Sequence, residues 1–268
     1  MLKDITLGQY FPGSTFVHRL DPRTKLLLTV VYIAALFVAK RYCSYALVLA
    51  FLLCAAWVAR IRLRTMLKGV KPLIFIIILT GILNVFYTTG GVLLVDWWIF
   101  HIWSKGIETA LFMILRIILL IAGTFLLTYT TSPISLTDGL ESLLSPLKKL
   151  KVPVHELSMM MCIALRFIPT LIEETDKIIS AQKARGADFE SGNLIRRAKA
   201  LIPILVPLFI SAFRRADELA TAMESRCYHG GEGRTRLRQL RFAGCDAIAF
   251  ALGALLLAGV IALRCFGL

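Results

Sequence analysis

The chain has 268 residues, 57% of them apolar, with 31 basic side chains against 17 acidic ones and a formal charge of +14. Soluble domains hold roughly 45 to 50% apolar residues even with glycine counted, so an ordinary water-soluble fold is excluded. A nucleic-acid binder would use the charge but not apolar runs that can cross a hydrocarbon layer of about 30 Å. Cytoplasmic loops rich in Lys and Arg reconcile both features in one membrane protein.

In chain order, residues 1–25 carry polar punctuation and no cleavable leader is expected, so the first span stays as an anchor. Residues 26–39 and 42–59 predict two spans joined by a tight outer turn at Lys40-Arg41. Arg60, Arg62, Arg64, Lys68 and Lys71 then gather without an acid among them, which places that loop in the cytoplasm. A third span is expected over residues 72–87. It is broken by Gly90-Gly91, and Trp97, Trp98 and Trp103 are expected at the outer lipid interface. Residues 106–129 predict a fourth span with one deep charge, Arg116, which packs against protein and is expected to meet a carboxylate such as Glu108.

From residue 130 to 242 the texture changes, with 17 basic and 12 acidic side chains mixed into helical periodicity. Residues 155–185 and 194–226 read as long amphipathic helices, the second bent by Pro203 and Pro207. Residues 243–263 supply a fifth span with Asp246 at its cytoplasmic edge. The fold class expected is therefore an all-α polytopic membrane protein of about five spans. Residues 1–129 form the N-terminal membrane region, 130–242 a cytoplasmic module of amphipathic helices, and 243–268 the last transmembrane helix.

The module repeats itself at an offset of 41: Asp176 matches Asp217, Ser180 matches Thr221, Ala181 matches Ala222, and Arg185 matches Arg226. Each arginine stands on a last helical turn. There it complements the helix carbonyls while offering a five-donor fork to a partner's carboxylates.

Four stretches carry a resemblance: GQYFPGSTFVHRLDPRTK at 8–25, ALRFIPTLIEET at 164–175, QKARGADF at 182–189 and MESRCYHGGEGRTRLR at 223–238. In this order the chain resembles the shared transmembrane T component of energy-coupling factor transporters, closest to the vitamin-transport group. The resemblance implies long cytoplasmic coupling helices whose Ala-Arg-Gly motifs dock into two ABC-type ATPase subunits, a homo- or heterodimer. ATP and Mg²⁺ are expected on those ATPases and no cofactor on this chain. It also implies a membrane-embedded substrate-binding S component, interchangeable with others of its kind, that is reoriented to import a vitamin or related micronutrient across a prokaryotic inner membrane.

The first motif is intact as Ala184, Arg185 and Gly186; the second departs from it as Ser225, Arg226 and Cys227. Cys in place of Gly matters more than Ser in place of Ala, since a side chain disfavours a left-handed turn at 227. His18, Asp21, Pro22, Arg23 and Lys25 are expected to set the start of the first span at the cytoplasmic interface. The Gly230-Gly231-Glu232-Gly233 stretch is expected to turn the chain toward the last span.

Two other classes compete. A polytopic membrane enzyme would need convergent catalytic groups, but His18, His101, His155 and His229 form no HExxH or HxH set, and no GxxxxGK[ST] phosphate loop is present. A self-contained secondary transporter would rest on Glu108 and Arg116 alone. The six cysteines are scattered, without a CxxC pair, so neither a zinc site nor a disulfide framework is expected.

Overall fold

A computed structural model describes residues 10–97, 100–187, 189, 193–230 and 239–266. It divides into two compact units, residues 141–239 and residues 8–140 with 240–268.

The second of these units carries three of the four helices that are long and apolar enough to cross a membrane. A short α1 (Phe16–Arg19) leads into α2 (Pro22–Val38) and α3 (Tyr42–Val58). The start of α2 is fixed locally: Pro22 fills the first helical position, where no N–H is needed, and the Asp21 carboxylate accepts from the Arg23 N–H at 2.9 Å. Next come α4 (Leu63–Val70) and α5 (Ile74–Tyr87), joined through one tight helical turn at Lys71–Leu73. The long α6 (Ser104–Thr130) follows, then α7 (Pro133–Leu144), and α10 (Gly244–Cys265) completes the unit.

Small residues let these helices approach closely, as in membrane helix packing generally. A side chain at Gly123 of α6 would run into the Tyr32 ring of α2, and one at Gly253 of α10 would meet Leu28. Tyr32 donates its hydroxyl to the Leu119 carbonyl at 2.9 Å. Around that contact Leu36, Tyr45, Val48, Leu119, Tyr129 and Val260 form the buried core. At one end of the unit, polar groups tie three helices together. The Asp21 N–H donates to Asp246 at the start of α10 at 2.9 Å, and the Lys25 ammonium donates to the last carbonyl of α6, on Thr130, at 2.8 Å. The His18 ring bridges Thr15 and the Phe11 carbonyl, and loss of water around it holds its pKa below the ordinary 6.5.

The structure meets the expected spans in part and departs from the sequence reading in two places. Among the described residues four helices are long and apolar enough to cross a membrane, Leu63–Tyr87, Ser104–Thr130, Val154–Ala184 and Gly244–Cys265, with Tyr42–Val58 a shorter apolar helix beside them. The helices α2 and α3 have 17 residues each, at the short end for a span, whereas Val154–Ala184 qualifies because its charges crowd into its second half.

The chain is also not wholly helical. After Gly90-Gly91, β1 (Leu93–Trp97) and β2 (Phe100–Trp103) pair antiparallel with Trp97 opposite Phe100. Trp97 and Trp103 end these two strands, and Trp98 lies outside the described residues.

Among the described residues Arg116 meets no carboxylate. It donates to the Tyr45 hydroxyl at 2.9 Å and to the Ala39 carbonyl at 3.1 Å, and it stands over the rings of Phe37 and Tyr45. Ala39 is the C-terminal cap of α2, so the guanidinium completes a helix end whose carbonyls point at it. The α9 helix (Leu194–Glu224) holds Pro203 and Pro207 in its interior.

Candidate functional site

The 141–239 unit is built on α8 (Val154–Ala184) and α9, each of 31 residues. On α8, Glu156 sits in the first turn and Lys183 in the last, the charge order that suits the helix dipole. Two sets of bonds tie the helices. Glu174 on α8 accepts from the Ser211 hydroxyl and, at 2.9 Å, from the Arg215 guanidinium on α9. Eight residues further along α8, Gln182 donates its amide to the Pro203 carbonyl at 3.4 Å. Residue numbers rise on one helix as they fall on the other, so the pair is antiparallel.

The Gln182 bond has a backbone cause. Pro207 has no N–H, so the carbonyl four residues before it, on Pro203, loses its helical donor. Gln182 supplies a replacement from the neighbouring helix. A proline that would ordinarily break the ladder is thereby absorbed into the packing.

The two arginine motifs close their helices in the same way. At the end of α8 the Gly186 N–H reaches the Lys183 carbonyl at 3.0 Å, and the Ala187 N–H reaches back to Gln182 at 3.0 Å. At the end of α9 the Cys227 N–H reaches Glu224 at 2.8 Å, and the Tyr228 N–H reaches back to Met223 at 3.1 Å. This paired closure requires a left-handed residue after the cap. Gly186 takes it at φ +86°, and Cys227 takes it at φ +55°. Cys227 takes the left-handed conformation that its side chain disfavours, and its helix end closes as that at Gly186 does. A side chain built at Gly186 meets nothing within 4 Å, so backbone conformation, not space, is what a residue at this position has to satisfy.

Ala184, Arg185, Gly186, Ser225, Arg226 and Cys227 are all exposed. Among the described residues neither arginine side chain has an ion-pair partner. The structure brings the three residues of each motif together but keeps the two motifs apart. Measured from the Glu174–Arg215 contact, each arginine stands eleven positions out, 174 to 185 and 215 to 226. That is about 16 Å of helix each, in opposing directions.

The bracing residues Glu174, Gln182, Ser211 and Arg215 were not singled out from the sequence. One signal was available: Glu174 and Arg215 stand at the same 41-residue offset as the paired arginines. Gly231, Glu232 and Gly233 lie outside the described residues. Among the described residues no group of three or more His, Cys, Asp or Glu side chains is placed to hold a metal ion.

An apolar surface accompanies the arginine ends. On α9, Leu201, Ile202, Leu205, Val206, Phe209, Ile210 and Phe213 are exposed, as are Leu157, Met160 and Met161 on α8. Contiguous exposure of this kind marks contact with lipid or with another protein.

Residues 13–237 match the CbiQ family, described as cobalt transport protein. The chain is 53% identical over 261 residues to the energy-coupling factor transporter transmembrane protein EcfT of Ruminiclostridium cellulolyticum, covering 97% of each. It is 54% identical over 263 residues to the protein of the same name from Thermosediminibacter oceani, covering 98% of this chain and 99% of the other. Against that of Bacillus subtilis it is 49% identical over 246 residues, covering 92% and 93%.

Proposed function

The chain belongs to the family of energy-coupling factor transporter transmembrane proteins and is a coupling subunit of such a transporter, and from this premise we propose that Arg185 and Arg226 are its two contact points with a pair of ABC-type ATPases. The observation that carries the reading is the matched geometry of the two helix ends. Each presents an exposed arginine at the cap, followed by a left-handed residue, at the far end of a braced antiparallel pair. A pair of similar acceptor grooves is the complement that such a device fits.

ATP and Mg²⁺ belong to the partner ATPases in this scheme, and this chain contributes no catalytic group. Ala184 with Gly186, and Ser225 with Cys227, keep the surroundings of each guanidinium small so that it reaches into a groove. The exposed apolar faces of α8 and α9 offer a membrane-embedded S component a surface to ride on. Motion of the arginine ends then passes along the helices to that component, which carries the vitamin or related micronutrient.

The chain is placed in a prokaryotic cell membrane with its N terminus and residues 130–242 cytoplasmic. Five spans are assigned: four in residues 1–129 and one in 243–268. The run of cations from Arg60 to Lys71 supports that orientation. In this scheme α8 is a coupling helix, and its apolar first half faces the partner and the membrane surface.

Co-purification in mild detergent followed by intact-complex mass measurement tests the assignment. Two ATPase chains and one S component beside this chain are expected, and a complex lacking ATPases under conditions that keep the chain folded would overturn it.

A further inference from the structure

The unit of residues 8–140 and 240–268 contains a cavity that coupling does not use. It has a volume of about 240 Å³, lies among α1, α2, α3, α6 and α10, and is walled by Phe16, Leu20, Leu28, Phe51, Leu126 and Leu252 with their neighbours. An apolar cavity of about 150 Å³ stays dry and takes up benzene, so a larger one with such walls selects hydrocarbon over water. Lys25 also lines it, but its ammonium already donates to the carbonyls of Thr130 and His18.

Two arginines lie close in sequence to residues of the cavity wall. Arg19 stands between the wall residues Val17 and Leu20, and Arg60 follows two positions after the wall residue Val58. Both are exposed, and among the described residues neither side chain has an ion pair. Two acids of this region are turned to backbone groups. Asp21 and Asp246 are buried, and their carboxylates accept from the N–H groups of Arg23, Asp21 and Ala243.

Arg60 adds a separate observation. It ends α3 at φ +55°, its N–H on the Trp57 carbonyl at 3.0 Å and the next N–H on Ala56 at 3.1 Å. Glycine would hold that conformation without strain, so the side chain is present despite a backbone cost, as is common where a side chain has a task.

We propose that the cavity holds one acyl chain of an anionic glycerophospholipid of the cytoplasmic leaflet, with the phosphate held between Arg19 and Arg60. The inference rests on the membrane placement above and is independent of the ATPase contacts. Chain and headgroup are recognised separately, the first by the apolar walls and the second by two forks suited to phosphate oxygens.

The test uses the full-length chain in detergent, stripped of lipid and titrated with dioleoylphosphatidylglycerol or dioleoylphosphatidylcholine, with retained lipids counted by intact mass. One tightly held phosphatidylglycerol is expected, with phosphatidylcholine held more weakly. Arg19→Gln with Arg60→Gln should weaken phosphatidylglycerol retention by roughly tenfold or more while leaving phosphatidylcholine unchanged. Ala55→Leu, which fills the cavity from its wall, should lower retention of both. If that variant unfolds in lipid-free detergent, Cys54→Phe fills the space from the neighbouring position. Arg62→Gln with Arg64→Gln, in the same basic loop but away from the wall, should retain the lipid as the unaltered chain does. Unchanged phosphatidylglycerol retention in the Arg19/Arg60 variant, or in a folded cavity-filled one, overturns the proposal, as does equal retention of the two lipids by the unaltered chain. Because lipid mass on this chain alone is read, the outcome does not depend on whether ATPases co-purify.

Discussion

Glu174 and Arg215, separated by 41 positions, pair with each other at 2.9 Å across the antiparallel helices α8 and α9. The same offset separates Asp176 from Asp217 and Arg185 from Arg226, so the bond joins two equivalent places in a duplicated unit. In an antiparallel pair of repeats, equivalent residues meet at the point about which the two halves exchange.

Removing one member of this pair should loosen the crossing more than it unfolds the chain. Both side chains are partly exposed, so the pair contributes no more than about 1 kcal/mol to stability. Glu174→Gln and Arg215→Gln should each lower ATP-driven uptake in proteoliposomes, and the double variant should lose no more than the worse single one. Additive losses would show that the two residues act separately.

The arginine ends should be needed for coupling and dispensable for folding. Arg185→Ala with Arg226→Ala is expected to abolish ATP-driven uptake and ATPase co-purification while leaving membrane insertion and thermal unfolding near those of the unaltered chain. Either single replacement should be milder. Full uptake by a stably inserted double variant would remove these residues from the contact.

Cys227 holds a glycine's conformation at φ +55°. Cys227→Gly should therefore relieve strain on the order of 1 kcal/mol and raise the unfolding temperature by a few degrees. Gly186→Ala should do the reverse by a similar amount, although space is open around it. Thermal unfolding of the purified chain distinguishes the two signs. If neither variant shifts, the helix ends fray too readily for their backbone geometry to count.

Gly123 presses on the Tyr32 ring, whose hydroxyl is tied to Leu119 on the same α6. Gly123→Leu should cost roughly 1 to 3 kcal/mol through overpacking and displace the ring. A lowered unfolding temperature and reduced membrane abundance are the expected readings. An unchanged unfolding temperature would mean that α2 and α6 separate at little cost.

The helix ends were legible in the sequence because a duplicated pattern repeats side chains and backbone signals together. The start of α2 was legible for a similar reason: Asp21 and Pro22 act on the backbone within two residues. The partners of Arg116 were not, since one is a carbonyl at the end of α2, which leaves no mark in a sequence, and the other is a tyrosine hydroxyl on α3. The β-hairpin was hidden because its aromatic residues suit a lipid interface as well as a strand. The number of spans was blurred for a physical reason. Helices of 17 residues fall just short of the hydrocarbon thickness, while α8 is apolar for half its length and charged for the rest.

Equal distances from the Glu174–Arg215 crossing to the two arginines have a mechanical consequence. Opposed pushes of equal size at Arg185 and Arg226 form a couple: their translations cancel and their turning moments add. A two-fold symmetric motor gripping both ends would thus twist the helix pair about its crossing without dragging it sideways through the membrane surface. Unequal arms would leak part of every stroke into sliding.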